Sequence, residues 1–278
     1  MDVDSGLSLI AACYGVGMLS SLLARWSSRL SIGAGHLAAF AGAAAGLGVS
    51  LGILLGGPGR TLTRPLPVLF PFARLSLSVD GLSAYFLLVI SLVAIAAAIY
   101  GPAYFRAHSP DAGRARQAAQ VLALNVFLGC MTFLCCAGDA LTFLLCWEGM
   151  TLASYVLVVS DDRDGENARA GLLYMVMAHG GTALLLVAFL ALTERAGAFD
   201  FAALRSAARD LDSTTRTTLF FLALGGFATK AGVVPLHVWL PRAHPAAPSH
   251  VSALMSGVML KVAIYGMLRF AFDLLAPT

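Results

Sequence analysis

The feature that most constrains the fold is a series of long apolar segments separated by short polar ones. Hydrophobic residues make up 59% of the 278 residues and charged residues only 12%, whereas about 25% of the residues in a soluble domain are charged. A helix that crosses a bilayer needs roughly 20 mostly apolar residues. The sequence therefore predicts an all-α polytopic membrane protein in contact with the lipid bilayer, with about eight transmembrane helices. The predicted spans are 6–24, 34–56, 80–101, 118–138, 140–160, 170–192, 217–240 and 249–271.

The charged loops give little information about orientation or polar partners. The loop arginines divide about equally between the two predicted sides, so the positive-inside rule favours neither orientation. A formal net charge of +3 indicates no nucleic-acid partner. The segment 195–216 alternates apolar residues with charges, which is typical of a short helix lying on the membrane surface rather than of a span.

The five cysteines do not predict a metal or iron–sulfur site. All of them lie in apolar segments, and no two form a Cys-x-x-Cys pair. Zinc sites and iron–sulfur clusters need several thiolates at ligand spacing. We therefore expect buried thiols and no cofactor in this chain, with the redox centres of any larger complex on other subunits.

The seventh predicted span contains an interruption. Lys230 and Gly232 are followed by Pro235, which has no N–H and leaves the carbonyl of Ala231 without its helical donor. Non-helical backbone at membrane depth is tolerated only against protein or a water-filled cavity, and broken helices mark ion sites in transporters. The pattern favours a functional lysine at a helix break; the alternative is a simple proline kink.

Three ionisable residues stand out because they lie inside predicted spans. The only two lysines are Lys230 and Lys261, and Glu148 lies in the fifth span. Such a charge costs on the order of 3 kcal/mol on insertion scales, so it usually has a partner and a function. Thr151 and Tyr155 share the helical face of Glu148, which predicts that this face looks into the bundle. A proton path and a purely structural Glu–Lys pair both fit this pattern.

Histidines extend the candidate path. Lys261 follows His250 by eleven residues, which places both on one stripe of a helix but roughly 16 Å apart, so water would have to connect them. His237 follows Lys230 by seven residues and lies on nearly the same face if the helix continues. His237 and His179 fit a relay and interhelical packing equally well.

These residues occur in motifs that resemble a known family. The antiporter-like membrane subunits of respiratory complex I, group 4 hydrogenases and multisubunit sodium/proton antiporters contain a stretch similar to ATKAGVVPLHVWLPRAHPAAPSHVSALMSGVMLKVAIYG. The family's fifth helix resembles CWEGMTLASYVLVV. The hydrogenase-4 component B and formate hydrogenlyase branch has segments similar to AGLLYMVMAHGGTALLLVAFLAL and GAFDFAALR.

The resemblance implies a role for each site residue. Glu148 would pair with Lys230, Lys261 would be the next proton acceptor, and His250 and His237 would connect the path to the cytoplasmic side. The family architecture implies N-terminal helices 1–3 in residues 1–105 and a five-helix repeat in 118–273. It also implies an inner-membrane location, an external N-terminus and internal loops at 161–169 and 242–250.

Family members have about fourteen helices in two inverted repeats, whereas this chain ends after the first, which predicts a half-length subunit or a fragment. The implied function is proton translocation by a non-catalytic membrane subunit, partnered by other membrane-arm subunits and a peripheral hydrogenase or dehydrogenase arm. A module of a sodium/proton antiporter and a non-conducting, truncated assembly subunit are the alternatives.

Overall fold

Membrane-length helices dominate the computed structural model, which describes residues 3–56, 62–65, 75–108, 113–160 and 165–275. The early helices are α1 (Val3–Ser20), extended by 3-10 turns over Ser21–Arg25, α2 (Ser28–Leu54), α3 (Gly81–His108), α4 (Arg114–Cys135) and α5 (Ala140–Val159). The later ones are α6 (Glu166–Ala196), α7 (Phe201–Arg209), α8 (Ser213–Ala231), α9 (Leu240–Ala246), α10 (Ser249–Leu254) and α11 (Leu260–Leu268). Of the loop predicted at 161–169, residues 161–164 lie outside the described part.

The helical membrane fold predicted from the sequence is confirmed. Within the described residues, seven helices are long and apolar enough to cross a membrane. The last of them is a continuous rod, Ser249–Leu274, in which π-helical turns at Met255–Met259 and Arg269–Leu274 flank α11. The predicted seventh span is the exception, since its helix, α8, has 19 residues but is not among the seven. This helix ends at Ala231, and the chain turns through 232–239 before α9 begins.

A short hairpin between α2 and α3 departs from the all-α prediction. Strands β1 (Leu62–Pro65) and β2 (Ser76–Val79) pair antiparallel, with Leu62 opposite Val79. The turn between α4 and α5 continues this pairing: the Ser78 N–H donates to the Cys136 carbonyl at 2.7 Å, and the Gly138 N–H donates to Ser76 at 2.9 Å. Hydropathy missed the hairpin because the hairpin needs no long apolar segment. Its strands instead provide hydrogen-bond partners for backbone groups at this end of the bundle.

The α4–α5 turn is organised by a buried carboxylate. Asp139 is the N-cap of α5 and is fully buried. It accepts four hydrogen bonds, from the backbone N–H and hydroxyl of both Ser76 and Thr142, at 2.6–3.1 Å. One side chain therefore begins a helix and also holds strand β2 against it.

Replacing Asp139 with alanine is expected to destabilise this end of the bundle by about 2–3 kcal/mol, because buried donors lose their acceptor together with the cap. The apparent melting temperature of the purified protein in detergent measures the effect. Asp200→Ala is the matched control, since Asp200 caps α7 at an exposed position with one bond from the Ala203 N–H. Equal losses in the two variants would contradict the role given to Asp139.

The prediction that segment 195–216 does not span the membrane is confirmed. The segment contains α7, which lies over the same end of the bundle as the hairpin. Phe201, Leu204 and Leu211 are buried in the main apolar core. The backbone of Phe201 donates to the Gly138 carbonyl at 3.0 Å, which ties α7 to the α4–α5 turn. Helices from the regions 1–105 and 118–273 contribute to one apolar core, and the division between these regions stays a prediction.

An ion network joins α3, α7 and the last turns of the Ser249–Leu274 rod. Arg269 binds both oxygens of Asp80, at 2.6 and 2.8 Å, and also donates to Asp273 at 2.8 Å. Arg205 in turn makes two hydrogen bonds to Asp273, at 2.6 and 2.8 Å. Because Arg269 is buried, the network connects three elements that are distant in sequence.

Stability is expected to depend on the charge of Asp80, which lies just before α3. Burial alone would raise the pKa of Asp80, but the hydrogen bonds and positive charge of Arg269 outweigh it and lower the pKa from 3.8 to about 2. A carboxyl group whose pKa is depressed by folding stabilises the protein above its unfolded pKa, and this stabilisation disappears as pH falls from about 4 to about 2.

The test compares melting temperatures of the wild type and Asp80→Asn at pH 5, 3 and 2. We expect the gap between the two proteins to be large at pH 5 and to shrink towards pH 2. A gap independent of pH would contradict the assignment.

Candidate functional site

The centre of the site is a lysine buried inside the helical bundle. Lys230 is 2% exposed, and its ammonium donates to the Thr151 hydroxyl at 2.6 Å and to the Tyr174 hydroxyl at 2.7 Å. Its Nζ also lies 4.9 Å from the centre of the Tyr174 ring and 5.7 Å from that of Trp147. A buried cation is thus held by neutral hydroxyls and aromatic faces, with no carboxylate in direct contact within the described part of the chain.

The hydroxyl contacts continue beyond Lys230. The Tyr174 hydroxyl lies 2.7 Å from the Ser154 hydroxyl and 3.8 Å from the Met259 sulfur. Because the lysine ammonium is a donor only, Tyr174 accepts from it and is free to donate onwards to Ser154 or Met259. Groups that can both accept and donate are what a proton relay requires, and Tyr174 connects α5, α6, α8 and the first π-helical turn.

The chain break sets the position of Lys230. Gly232 adopts a left-handed conformation at φ 71°, and its N–H and that of Val233 fold back onto α8 carbonyls. Glycine takes this conformation without strain, and the arrangement is a common helix end. Lys230 is therefore in the last turn of α8, where the helix dipole favours a cation. The Trp239 indole closes the end by donating to the Thr229 carbonyl at 2.8 Å.

Two glycines allow α8 to approach α6. A Cβ at Gly226 would lie 2.6 Å from the Gly181 carbonyl oxygen, and a Cβ at Gly181 would lie 3.0 Å from that of Gly226. Small residues that let backbones touch are a usual basis of helix association in membranes. This contact lies about one helical turn before Lys230, so it brings the lysine within reach of Tyr174.

Replacing Gly226 with alanine is expected to push α8 away from α6 and to cost about 1–3 kcal/mol through overpacking. Gly180→Ala is the matched control, because a Cβ at Gly180 meets nothing within 4 Å and alanine has the higher helix propensity. Melting temperatures in detergent should fall for Gly226→Ala and stay level or rise for Gly180→Ala. A fall of the same size in both variants would contradict the close-contact argument.

Glu148 lies near this centre but is not paired with Lys230. Its carboxylate contacts His179 Nε2 at 3.4 Å, and the side chains of Glu148 and His179 are 30% and 50% exposed. Glu148 lines a cleft of 220 Å³ between α5 and α6. Of the polar face predicted from sequence, Thr151 turns inwards to Lys230, whereas Glu148 turns towards α6 and the outside of the bundle.

The structure does not bring Lys261 into contact with Lys230. Lys261 is exposed on the outer face of this chain, and its Nζ donates to the Ser256 carbonyl at 2.6 Å. Ser256 belongs to the first π-helical turn, where the altered hydrogen-bond pattern makes room for such a bond. Met259, in the same turn, is the residue through which the rod reaches Tyr174.

His250 forms a histidine pair that sequence reasoning missed. His250 is 3% exposed, and its ring centre lies 5.9 Å from that of His36, which is 2% exposed. His250 Nδ1 and His36 Nε2 are buried and have no hydrogen-bond partner among the described residues. Tyr104 and Phe105 close the pair from α3. The sequence signal for this pair was His36, a lone histidine in the Gly/Ala-rich second span, and a lone histidine does not indicate its partner.

His237 lies in the turn between α8 and α9. Its Nδ1 is buried and makes no hydrogen bond with the described residues. The Leu240 N–H donates to the His237 carbonyl at 2.9 Å, so the backbone of His237 helps to begin α9. Lys230 precedes the helix end at Gly232 and His237 follows it. The two residues therefore do not share one continuous helical face.

A comparison with known protein families matches the part of the chain that contains the site. A family described as "NADH:quinone oxidoreductase/Mrp antiporter, TM" matches residues 137–277, about half of the chain, including Glu148, Lys230 and Lys261. This chain belongs to that family. The resemblance drawn from the sequence motifs is therefore confirmed.

One curated relative in this family covers the whole chain. Hydrogenase-4 component B of Escherichia coli (strain K12) is 38% identical over 278 residues, which are 100% of this chain and 40% of that protein. The chain thus spans less than half the length of this relative.

Solved structures of the family share the fold. An archaeal membrane-bound sulfane sulfur reductase superposes with a TM-score of 0.81 at 21% identity, over 95% of this chain and 52% of the other. The Mrp complex from Dietzia sp. DQ12-45-1b gives a TM-score of 0.78 at 22% identity, over 99% and 29%. Both structures are described as complexes, and they share the helical fold of this chain.

Proposed function

We propose that this chain translocates protons in a redox-driven membrane complex, with Lys230 as the central proton carrier. The observation that carries the proposal is the buried Lys230 ammonium, whose contacts among the described residues are hydroxyl and aromatic groups. A structural ammonium in a membrane interior would be expected to contact a carboxylate, because isolated buried charges are costly. Hydroxyl partners can stabilise both the charged and the neutral amine, which suits a group that gains and loses a proton.

Glu148 would act on Lys230 through space. At an effective dielectric constant of ~20, two unit charges interact by about 1–4 kcal/mol over roughly 4–16 Å. Turning Glu148 towards or away from the bundle would therefore change the free energy of Lys230 protonation by up to about 1–4 kcal/mol. The His179 contact gives Glu148 an alternative partner, as a switch of this kind requires.

The other site residues would form the two ends of the path. Tyr174 would pass protons between Lys230 and the Met259 turn. Because a thioether sulfur has no proton to donate, water would have to carry the proton on to Lys261, the next acceptor. His250 with His36, and His237 in the broken segment, would connect the site to the cytoplasmic side. A polar cleft of 440 Å³, lined by Asp80, Arg205 and Arg269 among others, lies roughly 28 Å from His250 along the rod and would be the opposite end of the path.

The electron-transferring partner would be a peripheral hydrogenase or dehydrogenase arm. Hydrogenase-4 component B supports this choice, since it aligns along the whole chain at 38% identity. We place the chain in the inner membrane with its N-terminus outside, which puts His250 and His237 towards the cytoplasm. The chain itself would carry no redox centre.

The test uses membrane vesicles from cells that produce the chain and from cells that lack it. Electron transfer by the complex is followed together with vesicle acidification by a pH-sensitive dye, with and without sodium. Acidification that depends on electron transfer, requires the chain and is independent of sodium would support the proposal. Ion exchange driven by a sodium gradient without electron transfer would replace it with the antiporter function, and unchanged acidification without the chain would reject both.

A further inference from the structure

A basic groove lies where the end of the first helix meets the start of α4. The groove has a volume of 420 Å³ and is lined by Arg25 and Arg114 at one end and by Leu22, Ala119 and Leu122 along its length. Arg25 ends the 3-10 extension of α1, and Arg114 is the first residue of α4. The groove therefore begins at the level of the helix ends and runs along the membrane-crossing part of α4.

The polar end of the groove carries two arginines that have no ion-pair partner among the residues that the structure describes. Arg114 Nη1 donates to the Arg25 backbone carbonyl at 3.0 Å, which holds the two residues together. Within the described part of the chain, neither guanidinium forms an ion pair, and the Arg25 side chain donates no hydrogen bond. Two arginines side by side repel each other, and an anion between them removes that repulsion. The N-terminus of α4, whose N-cap is Gly113, adds to the attraction through the positive end of the helix dipole.

The apolar end of the groove faces outwards. Leu22 and Leu122 are 51% and 43% exposed at its edges, and alanines of α4, including Ala119, leave the space between them open. Trp26 follows the arginine end directly and is 73% exposed. Tryptophan is enriched where membrane helices meet the headgroup layer, so the charged end is at headgroup depth and the apolar end at the depth of acyl chains.

We infer that this groove binds a phospholipid with an anionic headgroup. The phosphate would lie between Arg25 and Arg114, and one acyl chain would follow the apolar length of the groove towards Leu122. Arginine forms bidentate bonds with phosphate oxygens, and basic pockets between membrane helices bind anionic headgroups. A free phosphate would use only the charged end. Phosphatidylcholine also has a phosphate, but its choline cation lies beside that phosphate and would be repelled by the two arginines. The groove therefore fits a ligand with acyl chains and a net negative headgroup. The inference does not depend on proton translocation.

The experiment is native mass spectrometry of the chain purified from its own membranes, alone or in its complex. The protein is titrated with phosphatidylglycerol and with phosphatidylcholine of the same acyl chains. We expect at least one phosphatidylglycerol to bind roughly tenfold or more tightly than phosphatidylcholine. Arg25→Gln should weaken this binding by roughly 5-fold, and the double variant Arg25→Gln/Arg114→Gln by roughly 25-fold, since each arginine near a membrane surface contributes a modest attraction.

Matched controls separate the groove from general surface charge. Arg29→Gln removes one positive charge at the same end, from an exposed position outside the groove, and should leave phosphatidylglycerol binding unchanged. Ala119→Phe keeps both arginines but fills the apolar part, and should weaken phosphatidylglycerol binding. Arg25→Gln preserves the Arg114 bond to the Arg25 backbone, so a folding defect in the double variant does not hide the result.

Three results would overturn the inference. Equal affinity for the two lipids would remove the role of charge, and equal losses in Arg25→Gln and Arg29→Gln would remove the role of the groove. Full displacement of phosphatidylglycerol by millimolar inorganic phosphate would make this a free-anion site.

Discussion

Replacing Lys230 with methionine is expected to lower proton translocation about 100-fold while electron transfer by the complex continues at a changed rate. Methionine is close to lysine in length and fits the space between Tyr174 and Trp147, but it cannot carry a proton. A positioned proton-transfer group contributes about 10²–10⁴-fold to a rate, so the lower end of that range is the expected loss. Vesicle acidification per electron transferred measures the effect.

Lys230→Arg and Thr151→Val are the informative companions. Arginine keeps the positive charge but does not release its proton in proteins, so it should also abolish translocation if Lys230 carries the proton. If Lys230 only supplies a fixed charge, Lys230→Arg should retain activity. Thr151→Val removes one of the two hydroxyls that hold the ammonium and should give a partial loss. Wild-type acidification per electron in Lys230→Met would refute the proposed role.

Replacing Arg269 with leucine is expected to cost about 3–5 kcal/mol of stability, the usual loss when one member of a buried ion network is removed. The variant would leave Asp80 and Asp273 close together without their shared cation, and it would remove donors to Tyr265 and Ser83. An apparent melting temperature lower by about 10 °C in detergent is the corresponding readout.

Arg209→Leu is the control for Arg269→Leu. Arg209 is exposed on α7, and within the described residues its side chain takes no part in the ion network, so its replacement should change the melting temperature little. A triple variant, Asp80→Asn/Arg269→Leu/Asp273→Asn, should recover part of the loss because it leaves no unpaired carboxylate. If Arg269→Leu melts like Arg209→Leu, the network is not a main support of this end of the bundle.

Local sequence signals predicted most of the fold. Hydropathy located the membrane helices because crossing a bilayer requires an apolar length that any single segment either has or lacks. Gly232 and Pro235 located the break in the seventh span because their effects on helices are properties of their own backbones. The hairpin was missed because each of its strands has only four residues, and because β2 also pairs with Cys136 and Gly138, which lie far along the chain.

The sequence by itself determined that this is a helical membrane protein, that a helix ends just after Lys230, and that Glu148, Lys230 and Lys261 are its unusual intramembrane charges. The tertiary structure decided which groups meet. It placed Lys230 on Thr151 and Tyr174, Glu148 on His179, and Lys261 on the outer face. Contacts between helices depend on how each one is rotated and how closely it approaches its neighbours. Close approaches such as that of Gly181 and Gly226 set these rotations and distances. The periodicity of a single helix cannot predict them.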